Sequence, residues 1–462
     1  MCIGHRHQDK QKRATSERMI VPTTFKRGSP FMCTSITELG AILQTLLMED
    51  ADRIGRESGF IQRQRKFSGS SFAQTLIFGW QANPNASLEE LCQSASQAGV
   101  NISPQGLQER LNSQGANEFL HQLLLRSLEY VVEGEAKPSV LLRRFNGIYL
   151  QDSSKVELPA QFATMWQGNH AQQATLKVQT MLNYQTGRLD LRLAHGRQHD
   201  CPLQTTELPA GSLRLADVGY FKVSVFERLN AHGVAWLSRL PARVGIWTGE
   251  KVIHVLDWLN AQGGECIDQC VELTAQRFSA RFIALRVPPH VAEERRRRVA
   301  EAAKSRKHSQ LKAETLKLCD WTLIVTNLDA DALPVHDAFR LLRLRWQIEL
   351  LFKLWKQQLS LDVWRTKQPF HILSEVYAKL LLALVQHWLL VLGCWGEDNA
   401  SVVKAAFFLR KQSFRLLSVL HDFAALVRTL SAILPQLARC KIQKRKARPA
   451  TFQLLGLAPS LS

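Results

Sequence analysis

The sequence predicts a mixed α/β protein in which strands form the middle of the chain and helices form both ends. Apolar residues recur at helical spacing through residues 36–140, change to short strand-like runs from about residue 145, and become helical again beyond residue 370. The chain has 462 residues, 45% apolar and 21% charged, which is enough for about three globular units. This composition excludes a collagen-like or wholly disordered protein.

The chain is strongly basic. Fifty-nine Lys and Arg residues oppose 40 Asp and Glu residues, which gives a formal net charge of +19. Such an excess attracts polyanions, and because no lipid-anchor signal accompanies it, nucleic acid is favoured over an acidic membrane. The nine cysteines are few for this length and odd in number, so we expect a reducing, cytoplasmic location.

The N-terminal part of the chain divides into a basic segment and a helical block. Residues 1–35 are basic and lack an apolar signal segment, which indicates a disordered arm or an upstream extension. Within residues 36–140, Ser87–Glu90 is a capping box and Ser103–Leu111 begins as a second short helix with proline in its first turn. Two such helices joined by a turn fit either a helix-turn-helix DNA-binding domain or an ordinary helical bundle.

Two aspartates follow apolar runs that are typical of strands. Gly147–Asp152 and Ser212–Asp217 each read as a short strand that terminates in an acid. Side chains at strand ends are where α/β proteins often place catalytic groups, although Asp is also a common turn former. Each aspartate alone therefore indicates little.

A long helix is predicted from about Val335 to Leu359, and Glu349 lies on its polar face among three cations. The pattern fits either a solvated face with i,i+4 ion pairs or a metal-binding carboxylate beside cations that grip phosphate. The three cations are Arg345, Lys353 and Lys356. The neighbouring apolar stripe, expected to pack on a sheet, consists of Leu341, Leu344, Ile348, Leu351 and Trp355.

Taken together, the three acids predict a metal-dependent phosphoryl transferase. Asp152, Asp217 and Glu349 supply the oxygen ligands that a pair of Mg²⁺ ions prefers. Two-metal sites stabilise both the attacking and the leaving oxygen of an in-line phosphoryl displacement. Because a polycationic chain would bring such a site to DNA, the residues predict a DNA-processing enzyme.

These residues and their surroundings resemble the DDE transposases of bacterial insertion sequences. Arg345, Glu349 and Lys356 match the Tyr-(2)-Arg-(3)-Glu-(6)-Lys signature of one subgroup, insertion-sequence family four. Gln151–Ser154 is similar to the family's first-acid motif, and Leu215–Phe221 is similar to its second-acid motif. The three acids of the family are therefore all present.

The resemblance implies a ribonuclease-H-like fold interrupted by an insertion. Residues 36–140 would be a helical DNA-binding domain, and residues 141–240 with 329–375 would form the catalytic domain. Residues 241–328 would be a β-rich insertion with a charged helix. Residues 376–462 would form a helical C-terminal region with a basic tail.

The resemblance also implies a cut-and-paste reaction. Relatives cut the transposon ends with water, the freed 3′-hydroxyl forms a hairpin that is reopened, and the 3′ ends are joined to target DNA. Mg²⁺ is the implied cofactor, with Mn²⁺ as a substitute. A homodimer is expected because two DNA ends must be brought together, and no membrane contact is expected. Leu342 stands where the signature has Tyr, which makes a catalytically impaired DNA-binding relative one alternative. A nuclease of the same fold that does not join strands is the other.

Two tryptophans and two basic segments complete the predicted DNA contacts. The resemblance places Trp321 where relatives stack a flipped base, and Trp346 is a second candidate; core packing is the alternative for both. Val291–Leu318 and Arg439–Arg448 would meet the phosphate backbone, with a solvated helix face as the alternative for the first. The first segment contains the run Arg295, Arg296, Arg297 and Arg298.

Overall fold

The computed structural model describes five parts of the chain: residues 31–63, 66–198, 208–305, 312–442 and 451–456. Almost all of the predicted N-terminal arm and residues 443–448 of the predicted basic tail lie outside these ranges. Two apolar cores hold the described residues together. One joins the helical ends to the first strands of the central sheet, and the other lies beneath the later strands.

The N-terminal region is helical, as predicted. Ser87 and Glu90 form the expected capping box, and the Ser103 hydroxyl caps the following helix at Gly106. A π-helical segment, Thr45–Asp50, joins the first two helices. The elements are β1 (Phe31–Cys33), α1 (Ile36–Gln44), α2 (Ala51–Glu57), α3 (Gly69–Ala82), α4 (Leu88–Gln97), α5 (Pro104–Leu111), α6 (Gln114–Ser127) and β2 (Tyr130–Val132), which pairs in parallel with β1.

The central region begins a large mixed sheet. Its first three strands form an antiparallel meander, a fourth strand pairs in parallel with the first, and a fifth pairs in parallel with the fourth. The elements are β3 (Ile148–Leu158), β4 (Ala174–Asn183), β5 (Leu189–His195), β6 (Leu213–Ala216), α7 (Val223–Ala231) and β7 (Ala235–Arg239). The turn between β4 and β5 contains Gly187 at a φ of 77°, a left-handed conformation that glycine adopts without steric cost.

Residues 241–328 continue this same sheet. The sheet has ten strands in the order β5-β4-β3-β6-β7-β12-β11-β10-β8-β9, so the last strand of the segment pairs antiparallel with β7. The elements are β8 (Ile246–Trp247), β9 (Val252–Ile253), α8 (Val255–Gln262), β10 (Cys266–Leu273), β11 (Phe278–Arg286), α9 (Pro289–Ser305), α10 (Ala313–Lys317) and β12 (Trp321–Thr326). The predicted charged helix is α9, and residues 306–311 of the predicted segment lie outside the described residues.

The prediction that a strand ends at Asp152 is wrong. Strand β3 continues to Leu158, because it pairs with β4 along its whole length, including Asp152 opposite Thr180. The parallel pairing with β6 ends earlier, at Gln151 opposite Ala216. Asp152 is therefore the first residue beyond the parallel ladder, and Asp217 is the first residue after β6.

The predicted long helix is two helices. Helix α11 (Val335–Leu344) and helix α12 (Trp346–Gln358) meet at Arg345. There the Arg345 N–H donates to the Leu342 carbonyl and the Ile348 N–H donates to the Arg345 carbonyl, which is three-residue rather than four-residue bonding. The predicted apolar stripe is confirmed, because all five of its residues are buried and α12 packs on β3.

The C-terminal region is helical, as predicted, and comprises α13 (Pro369–Cys394), α14 (Val402–Lys411), α15 (Ser413–Val419), α16 (Phe423–Ala438) and α17 (Thr451–Gly456). Among the helices of the described residues, α13 has the length and apolar composition that could cross a membrane, but 89% of its apolar window is buried inside the protein. The segment Leu380–Val391 is thus part of a buried core helix.

Candidate active site

The two aspartates lie side by side at one edge of the sheet. Strands β3, β6 and β7 are parallel, so their C-terminal ends face the same edge, and the register brings Asp152 level with Asp217. The Ser153 N–H donates to Asp152 Oδ1 at 2.8 Å. A 3₁₀ turn follows Asp217, in which the Tyr220 N–H donates to the Asp217 carbonyl at 2.9 Å and the Tyr220 ring is buried.

Glu349 approaches this edge from the helical layer. It lies in the first turn of α12, where a carboxylate is favoured by the helix dipole. Its orientation follows from the apolar stripe, because burial of Ile348 and Phe352 beside it leaves Glu349 on the side that faces the ends of β3 and β6.

Arg345 contacts all three acids. Its Nη2 lies 2.6 Å from Glu349 Oε1, and its Nη1 lies 3.8 Å from Asp152 Oδ2 and 3.6 Å from Asp217 Oδ1. One guanidinium thus joins carboxylates from residues almost 200 positions apart in the sequence. Only 15% of the Arg345 side chain is exposed, so the group fills the space between the acids.

The carboxylates influence one another electrostatically. Burial raises the pKa of Asp152 to about 6, and the neighbouring Asp217 and Glu349 carboxylates act in the same direction. The Ser153 N–H and the Arg345 guanidinium oppose this rise. A raised carboxyl pKa beside two further acids is typical of a site that concentrates negative charge for function.

The three carboxylates are suitable ligands for divalent metal ions, although in this structure they surround the Arg345 guanidinium. In the part of the chain that the structure describes, no three His, Cys, Asp or Glu side chains are gathered closely enough to hold a metal ion as they stand. However, three carboxylates from β3, the end of β6 and α12 all reach one guanidinium. Carboxylate oxygens are the ligands that Mg²⁺ and Mn²⁺ prefer. The three acids therefore fit a metal site, because they have the preferred ligand atoms and because they approach a common point.

The two lysines predicted on α12 have different surroundings. Lys356 Nζ donates to the Lys155 carbonyl at 3.0 Å and lies 3.2 Å from Asp362, so it fastens α12 to the outer part of β3. Lys353 Nζ lies 4.3 Å from the centre of the Trp346 ring. Trp346 is 47% exposed. Together Trp346 and Lys353 form an exposed aromatic and cationic surface on the first two turns of α12.

Arg239 is a cation of the site that sequence reasoning missed. It is the last residue of β7, beside the end of β6 that carries Asp217. Desolvation and the guanidinium groups of Arg345 and Arg295 lower its pKa, while Asp217 and Glu349 act in the opposite direction. Its only sequence signal is its place just after the short apolar run Val234–Leu237.

The four consecutive arginines of α9 all contact groups within the protein. Arg295 donates to the Trp321 carbonyl at 2.9 Å and to the Thr322 hydroxyl at 2.9 Å, and so anchors α9 to β12. Arg296 pairs with Asp320. The remaining two, Arg297 and Arg298, are mostly exposed and pair with Glu294 on their own helix.

Trp321 is buried, which agrees with core packing, the alternative to base stacking for this residue. Only 9% of it is exposed, and it packs in the second apolar core with the Arg286 guanidinium 5.4 Å from its ring. Leu342, at the position of the signature Tyr, is also buried and packs in the main core. Of the two predicted tryptophans, the exposed one is therefore Trp346.

Comparison with known proteins identifies the family of the chain. Residues 144–385, just over half of the chain, match the family described as "Transposase DDE domain". This match contains all three acids and Arg345. The chain belongs to the DDE transposases of insertion sequences.

The similarity of this transposase to its relatives extends beyond the matched domain. It is 26% identical over 362 residues to the transposase for insertion sequence element IS231F of Bacillus thuringiensis subsp. israelensis, covering 72% of this chain and 75% of the relative. It is 22% identical over 373 residues to the transposase for IS1151 of Clostridium perfringens, covering 75% and 78%. A putative transposase for IS186A of Escherichia coli is 37% identical over 108 residues, covering 23% and 29%.

The function predicted from the sequence, transposition of an insertion sequence, is therefore confirmed at the level of the family. Membership implies cleavage and transfer of DNA strands with divalent metal ions.

Proposed function

We propose that this transposase cuts the ends of its element and joins them to target DNA at a two-metal site made by Asp152, Asp217 and Glu349. The observation that carries the proposal is the convergence of these three carboxylates on a single guanidinium. Mg²⁺ is the proposed physiological ion and Mn²⁺ a substitute, because both prefer carboxylate oxygens.

The proposed catalytic core is ribonuclease-H-like. Strands β3 to β7 have the order β5-β4-β3-β6-β7, in which an antiparallel meander of three strands is followed by β6 in parallel beside β3 and β7 in parallel beside β6. This arrangement supports a core that ends at β7, with residues 241–328 as an insertion that returns to the core through β12. Helices α11 and α12 then complete the core by bringing Glu349 to the sheet edge.

The chemistry divides between the bound ions and the side chains of the chain. Bound at the three acids, divalent ions would stabilise the attacking and leaving oxygens of the displacement. Arg345 and Arg239, which lie among and beside the acids, would orient the phosphate of the DNA strand. Lys356 would hold α12 against β3 as well as adding positive charge near the strand.

Two successive displacements account for the proposed reaction. In the first, a water oxygen bonds to the phosphorus at the element end, the P–O3′ bond breaks, and the 3′ oxygen takes a proton to leave a 3′-hydroxyl. In the second, that hydroxyl oxygen bonds to a target phosphorus and loses its proton, the target P–O3′ bond breaks, and the departing 3′ oxygen takes a proton. A hairpin intermediate would use the opposite strand as the first target and be reopened by water.

The proposed DNA contacts lie on several parts of the chain. Trp346 with Lys353 would stack a displaced base, because Trp346 is exposed whereas Trp321 is buried. Helices α4 and α5, joined by a tight turn, are the proposed reader of the element ends. Arg297 and Arg298 would meet phosphate on the exposed side of α9. A homodimer would hold the two ends, and the reaction is proposed to take place in the cytoplasm.

The decisive experiment separates cleavage from binding. Purified full-length protein is incubated with Mn²⁺ and DNA that carries the element ends with flanking sequence, and products are resolved on denaturing gels. The variants Asp152→Asn, Asp217→Asn and Glu349→Gln are each expected to lower the rate of strand cleavage by about 10³-fold or more. This corresponds to loss of several kcal/mol of transition-state stabilisation.

DNA affinity of the same variants, measured by fluorescence anisotropy without metal, is expected to equal that of the wild type or exceed it. A matched control is Glu397→Gln, which changes an exposed carboxylate paired with Lys441 and is expected to cleave normally. Cleavage retained in any of the three acid variants would reject the site. Cleavage without joining of a pre-cut end to a target plasmid would instead identify a nuclease, and binding without cleavage in the wild type would identify an impaired relative.

A further inference from the structure

Arg345 occupies the space in which the three acids meet. Its two terminal nitrogens face one oxygen each of Asp152, Asp217 and Glu349 at 3.8, 3.6 and 2.6 Å. A cation shared by these carboxylates would have to approach the same oxygens. The guanidinium and a metal ion are therefore competitors for one place.

The charges of this cluster do not balance. Three carboxylates contact one guanidinium, and Arg239 at the end of β7 adds one further positive charge near Asp217 and Glu349, so the acids remain in excess. Lys353 lies over the Trp346 ring, and Lys356 is engaged by Lys155 and Asp362. Without Arg345 the carboxylates would face one another across a partly buried space, which is unfavourable in a low local dielectric. A guanidinium is suited to this place because it stays protonated and offers several donors in a plane.

Arg345 also lies at an irregular point of the backbone. It separates α11 from α12, and the hydrogen bonds on both sides of it span three residues. Short 3₁₀ stretches inside a helical segment often mark places where function requires adjustment. The next helix begins at Trp346, so a change at Arg345 need not disturb the buried stripe that holds Glu349 in place.

We propose that Arg345 is a displaceable counter-ion: in the free transposase it neutralises the three acids and excludes divalent metal, and it must leave them before metal binds. This inference rests on the metal site proposed above. It assigns Arg345 a positioning role before the reaction, distinct from any contact with phosphate. The free protein would then bind metal weakly, and release of Arg345 would be the step that completes the site.

The test is Mn²⁺ binding by the full-length protein without DNA, followed by electron paramagnetic resonance of the free ion at constant pH. Arg345→Ala is expected to bind Mn²⁺ about tenfold more tightly than the wild type, since a competing unit charge has been removed about 4 Å from the site. Arg345→Lys keeps the charge but cannot span three carboxylates, so it is also expected to bind Mn²⁺ more tightly than the wild type.

Lys353→Ala is the matched control, because it removes a cation two turns further along the same surface of α12. Its Mn²⁺ affinity is expected to stay within about threefold of the wild type, since exposed charges at longer range are screened. If Arg345→Lys binds Mn²⁺ no better than the wild type, the effect of Arg345 is only that of a nearby charge and the proposal is overturned.

A second readout is thermal unfolding in EDTA and in Mn²⁺. Arg345→Ala is expected to melt a few degrees lower than the wild type in EDTA, because its acids have lost their counter-ion, and to gain more from Mn²⁺ than the wild type gains. Equal gains would contradict the proposal. Glu349→Gln tests the metal site itself. If this variant binds Mn²⁺ like the wild type, the proposed metal site is rejected. If it binds Mn²⁺ more weakly but the Arg345 variants bind no more tightly than the wild type, only the counter-ion role of Arg345 is rejected.

Discussion

Two ion pairs of this transposase have the same spacing and the same length but opposite surroundings. Arg345 and Glu349 are four residues apart with an N–O distance of 2.6 Å, and so are Glu375 and Lys379 on α13. The Glu375–Lys379 order, with the acid nearer the helix N-terminus, is the one that stabilises a helix more. The order is reversed in the Arg345–Glu349 pair, which indicates that the main role of this pair is not to stabilise the helix.

The Glu375–Lys379 pair is balanced and closed. Lys379 is 1% exposed in its side chain, and its Nζ also donates to the Ser360 and Val363 carbonyls at 2.8 and 3.1 Å. One positive and one negative charge meet there, and backbone oxygens satisfy the remaining donors. The pair thereby fixes the segment after α12 to the core helix α13.

The Arg345–Glu349 pair is unbalanced and partly open. Two further carboxylates contact the same guanidinium, and the Asp217 side chain is 43% exposed. A helix ion pair is thus structural when its charges cancel in a buried core, and it is a candidate for function when acids are left in excess beside solvent.

The largest effect on stability is expected from breaking the closed pair. Lys379→Met leaves Glu375 buried without its partner, which is expected to cost about 3–5 kcal/mol in the free energy of unfolding. Urea unfolding followed by tryptophan fluorescence measures it. The double variant Glu375→Leu with Lys379→Met should recover most of the loss, because both charges are gone; a double variant as unstable as the single one would show that packing, not charge, explains the effect.

A smaller effect is expected from acid, because α13 also buries His387. Burial lowers the pKa of His387 to about 4, although its Nε2 lies 2.7 Å from the Gly187 carbonyl, which opposes the shift. The unfolded chain, with an ordinary histidine pKa near ~6.5, then binds the proton first as the pH falls. Stability from this residue is complete above about pH 6.5 and is lost towards pH 4.

Between pH 7 and 5 this loss amounts to about 2 kcal/mol for His387. Thermal unfolding at intervals of half a pH unit measures it. The variant His387→Gln keeps a donor for Gly187 but does not titrate, so its melting temperature should depend less on pH, whatever its stability at pH 7. Equal pH dependence in both proteins would place the acid sensitivity elsewhere.

The open pair should contribute little to stability. Glu349→Gln removes the hydrogen-bonded acid but leaves Arg345 with both aspartates, and it relieves repulsion among the carboxylates. We therefore expect the free energy of unfolding in EDTA to change by less than about 1 kcal/mol. A loss comparable to that of Lys379→Met would mean that Glu349 is structural and would remove the contrast between the two pairs.

Much of the open site was predictable from the sequence because it depends on local spacing. Helix geometry alone places Arg345 and Glu349 on one face and the buried stripe on the next. The capping box at Ser87–Glu90 was predictable for the same reason, since both partners lie within one turn. Burial of the stripe then determines where Glu349 points.

The remaining features depend on contacts between distant residues. Asp152 lies within β3 because β4 pairs with the polar residues beyond it, and no local pattern shows that pairing. The arginines of α9 suggested DNA contact by composition, yet Arg295 and Arg296 bind groups of β12 and the turn before it. Arg239 joins the site through strand order, which the sequence does not reveal.

The smallest predicted effect concerns Lys353, whose charge is held over the exposed Trp346 ring rather than by an acid. If this lysine meets a DNA phosphate, Lys353→Ala should reduce the slope of log affinity against log salt by about one and weaken binding severalfold at moderate salt. Lys404 on α14, whose Nζ donates to the Lys441 carbonyl after α16, provides the matched variant Lys404→Ala. Fluorescence anisotropy of a labelled duplex across a salt series measures both slopes. An equal change in the two variants would mean that the general positive charge of the chain binds DNA, and the exposed surface of α12 would then have no special part in it.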